Sequence, residues 1–211
     1  KDDPKFFDCL KNDPNVYPIY VRAYDITDLQ GTAEADFNNC ATRVGDEYII
    51  KGCQFLKNNF DSRIRPKGHF THFCMRNFDV PPRRFTDGFP RNDGSGGLVQ
   101  KLEWFALEGI ADLVILEGFS SGTWRFKLLS DDGAVFSINS IIRVDNDGIH
   151  HPIEAVGGGF ALEPGTYRIK MNYFQGPRFQ IALQLYWSRN GGPWAIVPSA
   201  AFRYVNGIDK K

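Results

Sequence analysis

The most regular feature of the chain is alternation of apolar and polar positions over short runs, the period of a strand with one buried face. It is cleanest at 167–174 (YRIKMNYF), and 179–187 (FQIALQLYW) answers it across Gln175-Gly176-Pro177. Earlier strand-like runs lie at 123–129 and 134–138, separated by Ser130-Asp131-Asp132-Gly133. A further run at 141–144 follows a two-residue Asn139-Ser140 turn. Val99 to Leu107 and Leu113 to Leu116 also read as strands, with Gly109 and residues 118–122 as turns. Glu163-Pro164-Gly165 turns the chain into the strand at 167. Short strands with turn signals every 8 to 12 residues or so predict an all-β, antiparallel sandwich.

The first half is less regular. Residues 1–15 are charged, carry two prolines and read as an arm. Val16 to Ile26 reads as a first strand whose start Pro18 places at a sheet edge. Thr32 to Phe37 predicts a short helix capped by Thr32. Glu47 to Ile50 and Phe70 to Phe78 predict strands, and the period over Cys53 to Asn59 is ambiguous. Pro81-Pro82, Gly88 and Pro90 predict loop from Val80 to Gly97, whose Gly-rich end is either a linker or a loop within one domain. The organisation expected is an arm (1–15), one sandwich (16–205) with a cysteine-bearing elaboration at 28–97, and a tail (206–211).

Composition narrows the function. Eighteen Phe and 21 Gly favour strands and tight turns over long helices. Twenty-five basic residues balance 25 acidic ones, which argues against nucleic acid or an anionic membrane as a partner held by bulk charge. No apolar stretch is long enough for a transmembrane helix. The chain begins at Lys1 rather than Met, as a processed or excised segment does, so the lack of a leader says nothing about export. Cys9, Cys40, Cys53 and Cys74 make an even set without a Cys-x-x-Cys pair, which fits two disulfides in an exported protein better than a zinc site. All three pairings are open. No Gly-x-Ser-x-Gly elbow, His-Glu-x-x-His motif or phosphate-cradling loop is present, and the expectation is a protein that is not an enzyme.

Candidate chemistry centres on Asp131 and Asp132. Adjacent carboxylates raise each other's pKa unless a positive charge sits between them, and a hard cation such as Ca²⁺ is their natural partner. The short 134–138 and 141–144 pair returns Asp145 to Gly148 to the same end of the sandwich as the two aspartates. Whether Gln175 to Arg178 joins them depends on crossings that the pattern does not fix. Asp145-Asn146-Asp147-Gly148 resembles part of an EF-hand loop, but Arg143 stands at its first position and its flanks are strand-like. His150 and His151, adjacent on one strand, point to opposite faces and make a poor metal pair. Trp187 closes an alternating strand and reads as core, as do Trp104 and Trp124. Trp194 is a candidate for stacking on a sugar face.

The runs SDDGAVFSINSIIRVDNDGIHH, LEPGTYRIKMNYFQG and IALQLYWS together resemble the PA14 domain family, specifically from about 98 to 201. A fainter resemblance, through YVRAYDITD and FTDGFP, is to fibro-slime-type bacterial surface proteins. The PA14 resemblance implies a β-sandwich of the kind found in adhesins, flocculins, toxins and glycosidase accessory modules. It further implies a cis peptide between Asp131 and Asp132 and a Ca²⁺ ion held by both. Gln175 and carbonyls of Pro177 and Arg178 would complete that ion's ligand set. The implied ligand is a glycan, with Asp131, Asp132, Gln175, Asp147 and Trp194 as its candidate contacts, and the implied setting is secreted or cell-surface. The alternative is a structural or protein-interaction domain that keeps the fold without a sugar site. The cysteine-bearing region either caps the site or lies at the far end.

Overall fold

The structure is a computed structural model that describes residues 6–7, 15–88, 101–118 and 122–208. In chain order the first elements are β1 (Phe6–Phe7), β2 (Ile19–Asp25), α1 (Gln30–Cys40), β3 (Ala41–Val44), β4 (Glu47–Ile50) and α2 (Phe55–Asn59). Next come β5 (Thr71–Met75), β6 (Asp79–Arg84), β7 (Phe105–Ile115), β8 (Gly122–Asp131), β9 (Ala134–Ile138) and β10 (Ile141–Asn146). The last are β11 (Ile153–Val156), β12 (Phe160–Leu162), β13 (Gly165–Gln175), β14 (Gln180–Arg189), β15 (Ala195–Ile196) and β16 (Phe202–Arg203).

Two antiparallel sheets face one another. The first runs β1-β5-β2-β7-β13-β9-β10, with β16 beside β7 beyond the end of β2. The second runs β11-β8-β14-β15, with β12 continuing alongside β8 and β6 alongside β14. Their inner faces meet through Phe73, Phe105, Phe126, Phe136, Ile169, Tyr173 and Leu185, all essentially without exposure. Each such side chain contributes about 2 to 3 kcal/mol on removal from water. The expected sandwich is therefore the observed fold.

A second apolar cluster covers the outer face of the first sheet. Phe55, Phe60 and Ile64 pack there against Tyr24, Ala106, Val135 and Phe174, and the Phe55 and Phe174 rings lie 4.7 Å apart. Both Tyr173 and Phe174 are consequently buried, one on each side of β13. Glu108, also on this outer face, is enclosed by ion pairs to Arg22 and Arg65 and accepts a hydrogen bond from the Tyr24 hydroxyl at 3.1 Å. The elaboration is thus docked by a core of its own and by one neutralised buried charge.

Several expectations need correction. Gly109 is not a turn: it sits in the middle of the single 11-residue strand β7. A Cβ there would lie 2.9 Å from two carbons of the Phe78 ring, so the glycine serves close packing rather than a change of direction. The segment 79–84 is not loop but strand β6, despite Pro81 and Pro82. It lies along β14 where the register shifts between Ile181 and Leu183, a place where prolines need not donate to the ladder. The helix expected at 32–37 spans 30–40 and is preceded by a 3-10 turn at 27–29. Its entry is set by Asp25, whose carboxylate accepts the Thr27 amide and hydroxyl, rather than by Thr32. The ambiguous stretch after Cys53 is helical, α2 followed by a wider turn at 60–64. Asn139 and Ser140 both have positive φ, the geometry of a tight two-residue hairpin.

Cys40 and Cys53 form a disulfide, and Cys74 is disulfide-bonded too. Cys9, the remaining cysteine, and most of the expected 1–15 arm lie outside the described residues, as does the Gly-rich stretch at 94–97. Closing a loop with a sequence separation of 13 removes unfolded-state entropy. The double variant Cys40→Ser/Cys53→Ser is expected to lose about 3 kcal/mol in urea unfolding, with faster amide exchange concentrated at 41–53.

Candidate metal and ligand site

The Asp131-Asp132-Gly133 connection is not the tip of a hairpin. Strand β8 ends at Asp131 in the second sheet, opposite Ala182, and β9 begins at Ala134 in the first, opposite Tyr173 and Asn146. The chain crosses from one sheet to the other here, at the end of the sandwich. Gly133 allows the crossing: a Cβ would lie 2.5 Å from the Phe174 ring and 2.8 Å from the Gly148 nitrogen. The Gly133 carbonyl accepts the Phe174 amide at 2.9 Å. The Asp131–Asp132 peptide bond is cis, as the resemblance implies.

The two carboxylates are buried and differently served. Asp132 accepts the His150 amide at 2.9 Å on Oδ1 and the Gly176 amide at 2.7 Å on Oδ2. The Asp131 carboxylate has no hydrogen-bond or ionic partner among the described residues, and burial alone raises its pKa to about 7. Asp132 is pushed well above the usual carboxylate range, by burial first and then by the Asp131 charge, against the pull of its two amides. Among the described residues no lysine or arginine offsets either group.

The neighbouring loops are held from below. Gln175 is fully buried, and its Nε2 donates to the carbonyls of Pro177 at 3.2 Å and Gln180 at 3.1 Å. The Tyr173 hydroxyl lies 2.6 Å from both the Gln175 Oε1 and the Asp131 carbonyl, joining this loop to the aspartate turn. Asn146 donates to the Ser130 hydroxyl at 2.7 Å and the Ile153 carbonyl at 3.1 Å. His150 sits against the carbonyls of Asn146 and His151, each at 3.0 Å, and burial lowers its pKa. Its role is to order the loop.

Above this floor opens a cleft of about 500 Å³. Asp131, Asp132 and Ile149 to His151 line one part of it, and Pro177 to Gln180 another, with Phe179 almost wholly exposed. The remaining wall comes from the elaboration: Phe37, then Asp46, Glu47, Tyr48 and Ile50 of the β3–β4 hairpin. The cysteine-bearing region therefore stands at the aspartate end of the sandwich.

The sequence candidates separate accordingly. Asp131, Asp132, Pro177 and Arg178 line the cleft, with the Arg178 guanidinium paired to Glu103 at 3.2 Å. Gln175 lies beneath it. Asp147 faces elsewhere: its carboxylate accepts the Leu56 amide at 2.9 Å and the Lys57 amide at 3.3 Å, fastening the first turn of α2 to the sandwich. Burial raises its pKa to about 6 against those amides. Trp194 is not among the cleft residues; Lys127 and Arg125 lie over its ring at 5.5 and 5.8 Å. The sequence offers a strand at 47–50 and leaves open whether the cysteine-bearing region caps the site; that Asp46, Glu47 and Tyr48 line the cleft is not legible in it.

No family model matches the sequence, and no curated protein matches it. Solved structures do. A PA14 sugar-binding domain from an RTX adhesin aligns with a TM-score of 0.58 and 17% identity, over 89% of this chain and 98% of that one. The Epithelial Adhesin 9 A domain from Candida glabrata, in complex with Galβ1-4GlcNAc, gives a TM-score of 0.54 at 10% identity, over 96% and 94%. An anti-sigma factor domain-containing protein gives 0.57 at 17% identity over 92% of this chain, which spans about half (49%) of that protein's length. The fold is that of PA14 domains.

The buried carboxylates set a pH dependence. Asp131, Asp132 and Asp147 all have folded-state pKa values raised above their unfolded ones. Their contribution is fully present below an unfolded pKa near 4. That of Asp147 is lost as pH rises through about 6 and that of Asp131 through about 7, with Asp132 acting in the same direction. His150, with a lowered pKa, acts the other way below its unfolded value, one group against three. In the presence of a chelator the melting temperature is expected to fall between about pH 4.5 and about pH 7.5. A flat or rising profile in differential scanning fluorimetry would contradict this electrostatic account.

Proposed function

We propose that this domain is a calcium-dependent glycan-binding module of a secreted or cell-surface protein, an adhesin-type lectin and not a catalyst. The observation that carries this reading is the Asp131 carboxylate. It is buried beside a second carboxylate, has no cation or amide facing it among the described residues, and lies on the wall of an open cleft. A buried anion left this way is costly unless it is protonated or meets a cation. The donor set is all oxygen, which suits Ca²⁺ and not a soft metal.

In this reading Asp131 and Asp132 hold the ion and supply two negative charges. The His150 and Gly176 amides keep the Asp132 carboxylate in place. Gln175 contributes by fixing the loop that presents the Pro177 and Arg178 carbonyls, and its own Oε1 is engaged by Tyr173. Calcium, when bound, supplies coordination places that water fills and that vicinal hydroxyls of a sugar replace. The cleft walls then select among sugars. The galactose-containing disaccharide in the Epithelial Adhesin 9 complex makes β-galactosides the first ligands to try. A purely structural or protein-interaction role is the competing reading.

Asp131→Asn removes the unpartnered charge while keeping the shape. The variant is expected to remain folded and, in chelator at pH 7.5 or so, to melt above the wild type. It should show no heat of Ca²⁺ binding in calorimetry and no glycan binding. Glycan binding by Asp131→Asn equal to that of the wild type would sink the proposal, and a wild-type domain silent on a glycan array with and without Ca²⁺ would favour the structural role. For the wild type, the rise in melting temperature on adding Ca²⁺ should be larger near pH 7.5 than near pH 5, because protons compete for the same carboxylates.

A further inference from the structure

The β3–β4 hairpin belongs to neither large sheet; it is a two-stranded sheet of its own, and residues 42–49 are all exposed. Its base is nonetheless tied to the aspartate turn. The Cys40–Cys53 disulfide closes it, and the Lys51 amide donates to the Cys40 carbonyl at 3.1 Å. The Asp36 carboxylate accepts the Gln54 and Phe55 amides at 2.9 and 3.0 Å. Cys53 and Ile50 press on Gly148, where a Cβ would lie 2.6 Å from the Cys53 sulfur and 3.2 Å from Ile50. Two residues further on, His150 donates its amide to Asp132. The hairpin is thus fixed relative to the carboxylates through a short run of direct contacts.

What it projects into the cleft is specific. Tyr48 leans on Phe37, ring centroids 5.6 Å apart, and remains half exposed. Beside it, Asp46 and Glu47 also line the cleft. Asp46 lies 3.8 Å from Arg43, and Glu47 has no ion pair among the described residues. The Arg178 charge, on the far side, is taken up by Glu103. A divalent cation cancels the two charges of Asp131 and Asp132, which leaves Asp46 and Glu47 to set the sign of the remaining field. A cleft of this volume is in the range that holds drug-sized ligands, more than one pyranose ring.

Resting on the calcium-centred reading, we infer that Tyr48 is a specificity-determining residue, the platform on which a second sugar ring stacks, and that the ligand is a neutral oligosaccharide of two or more rings. A pre-placed aromatic face offers contact to the C–H face of a pyranose at little entropic cost. The acidic rim of Asp46 and Glu47 repels sialylated, uronate-bearing and sulfated glycans.

The test pairs a glycan array in Ca²⁺ with a calorimetric Ca²⁺ titration, for the wild type, Tyr48→Ala, Tyr48→Phe and Asp46→Asn/Glu47→Gln. Neutral oligosaccharides are expected as wild-type hits. Tyr48→Ala should bind them roughly tenfold more weakly, with Ca²⁺ affinity unchanged and binding of the methyl glycoside of the hit's terminal sugar retained. Tyr48→Phe should bind like the wild type. The doubly neutralised variant should gain binding to sialylated glycans. Full oligosaccharide binding by Tyr48→Ala, wild-type hits concentrated among anionic glycans, or Ca²⁺ binding with no glycan hit would each overturn this inference. Hits that survive chelation, or no Ca²⁺ binding by the wild type, would instead overturn the calcium-centred reading on which it rests.

Discussion

Two backbone amides on one buried carboxylate hold the functional end of this protein together. Asp132 receives His150 from the β10–β11 loop and Gly176 from the β13–β14 loop. Those loops leave different strands, and the aspartate itself lies on the crossing between the two sheets. A charge-assisted bond to each loop is stronger than a neutral one, and in a buried setting the loss of either leaves an anion poorly solvated. The geometry of the cleft floor therefore depends on a single side chain.

Around that centre the packing leaves little freedom. A Cβ on Gly133 would collide with the Phe174 ring and the Gly148 backbone, and one on Gly148 would collide with Cys53, so neither accepts a side chain. Phe174 in turn packs on Phe55 of the elaboration. The core of the sandwich, the aspartate crossing and the added helix are hence mechanically continuous. Asp147 reinforces the connection by holding the first turn of α2. A carboxylate from the sandwich and a ring from the elaboration each replace what a longer helix would provide for itself.

Much of the fold was legible because strand alternation is local. The run 134–138 is a strand with those bounds, and the tight turn at Asn139-Ser140 is where the residue types placed it. What was not legible is what depends on partners far along the chain. Gly109 reads as a turn until Phe78, 31 residues earlier, is seen against it. Pro81 and Pro82 read as loop because the irregular register of β14 that accommodates them is a property of another strand. Asp131-Asp132-Gly133 carries the composition of a hairpin tip, and only the sheet assignment of β8 and β9 shows a crossing. Asp131, Asp132, Pro177 and Arg178, singled out from motif and resemblance, line one cleft. Asp147 and Trp194 share the sequence neighbourhood of the site and not its surface, since alternation tells which face a residue takes but not what the opposite chain brings to it. Tyr48 carries no motif, and nothing in its neighbours announces a cleft nearly 85 residues away.

The separate β3–β4 hairpin has a consequence for how this protein can change over generations. Residues 42–49 take no part in the ladders of either large sheet and are all exposed, so substitutions there, apart from the positive-φ Gly45 and the Tyr48 that packs on Phe37, fall in the class that leaves stability within about 0.5 kcal/mol. Mutational tolerance is high along this loop, while the crossing a few contacts away is constrained at Gly133 and Asp132. Selection acting on what the cleft accepts can thus sample the hairpin freely without passing through unfolded intermediates. In a lineage, diversity should accumulate between the two cysteines while the scaffold beneath drifts slowly.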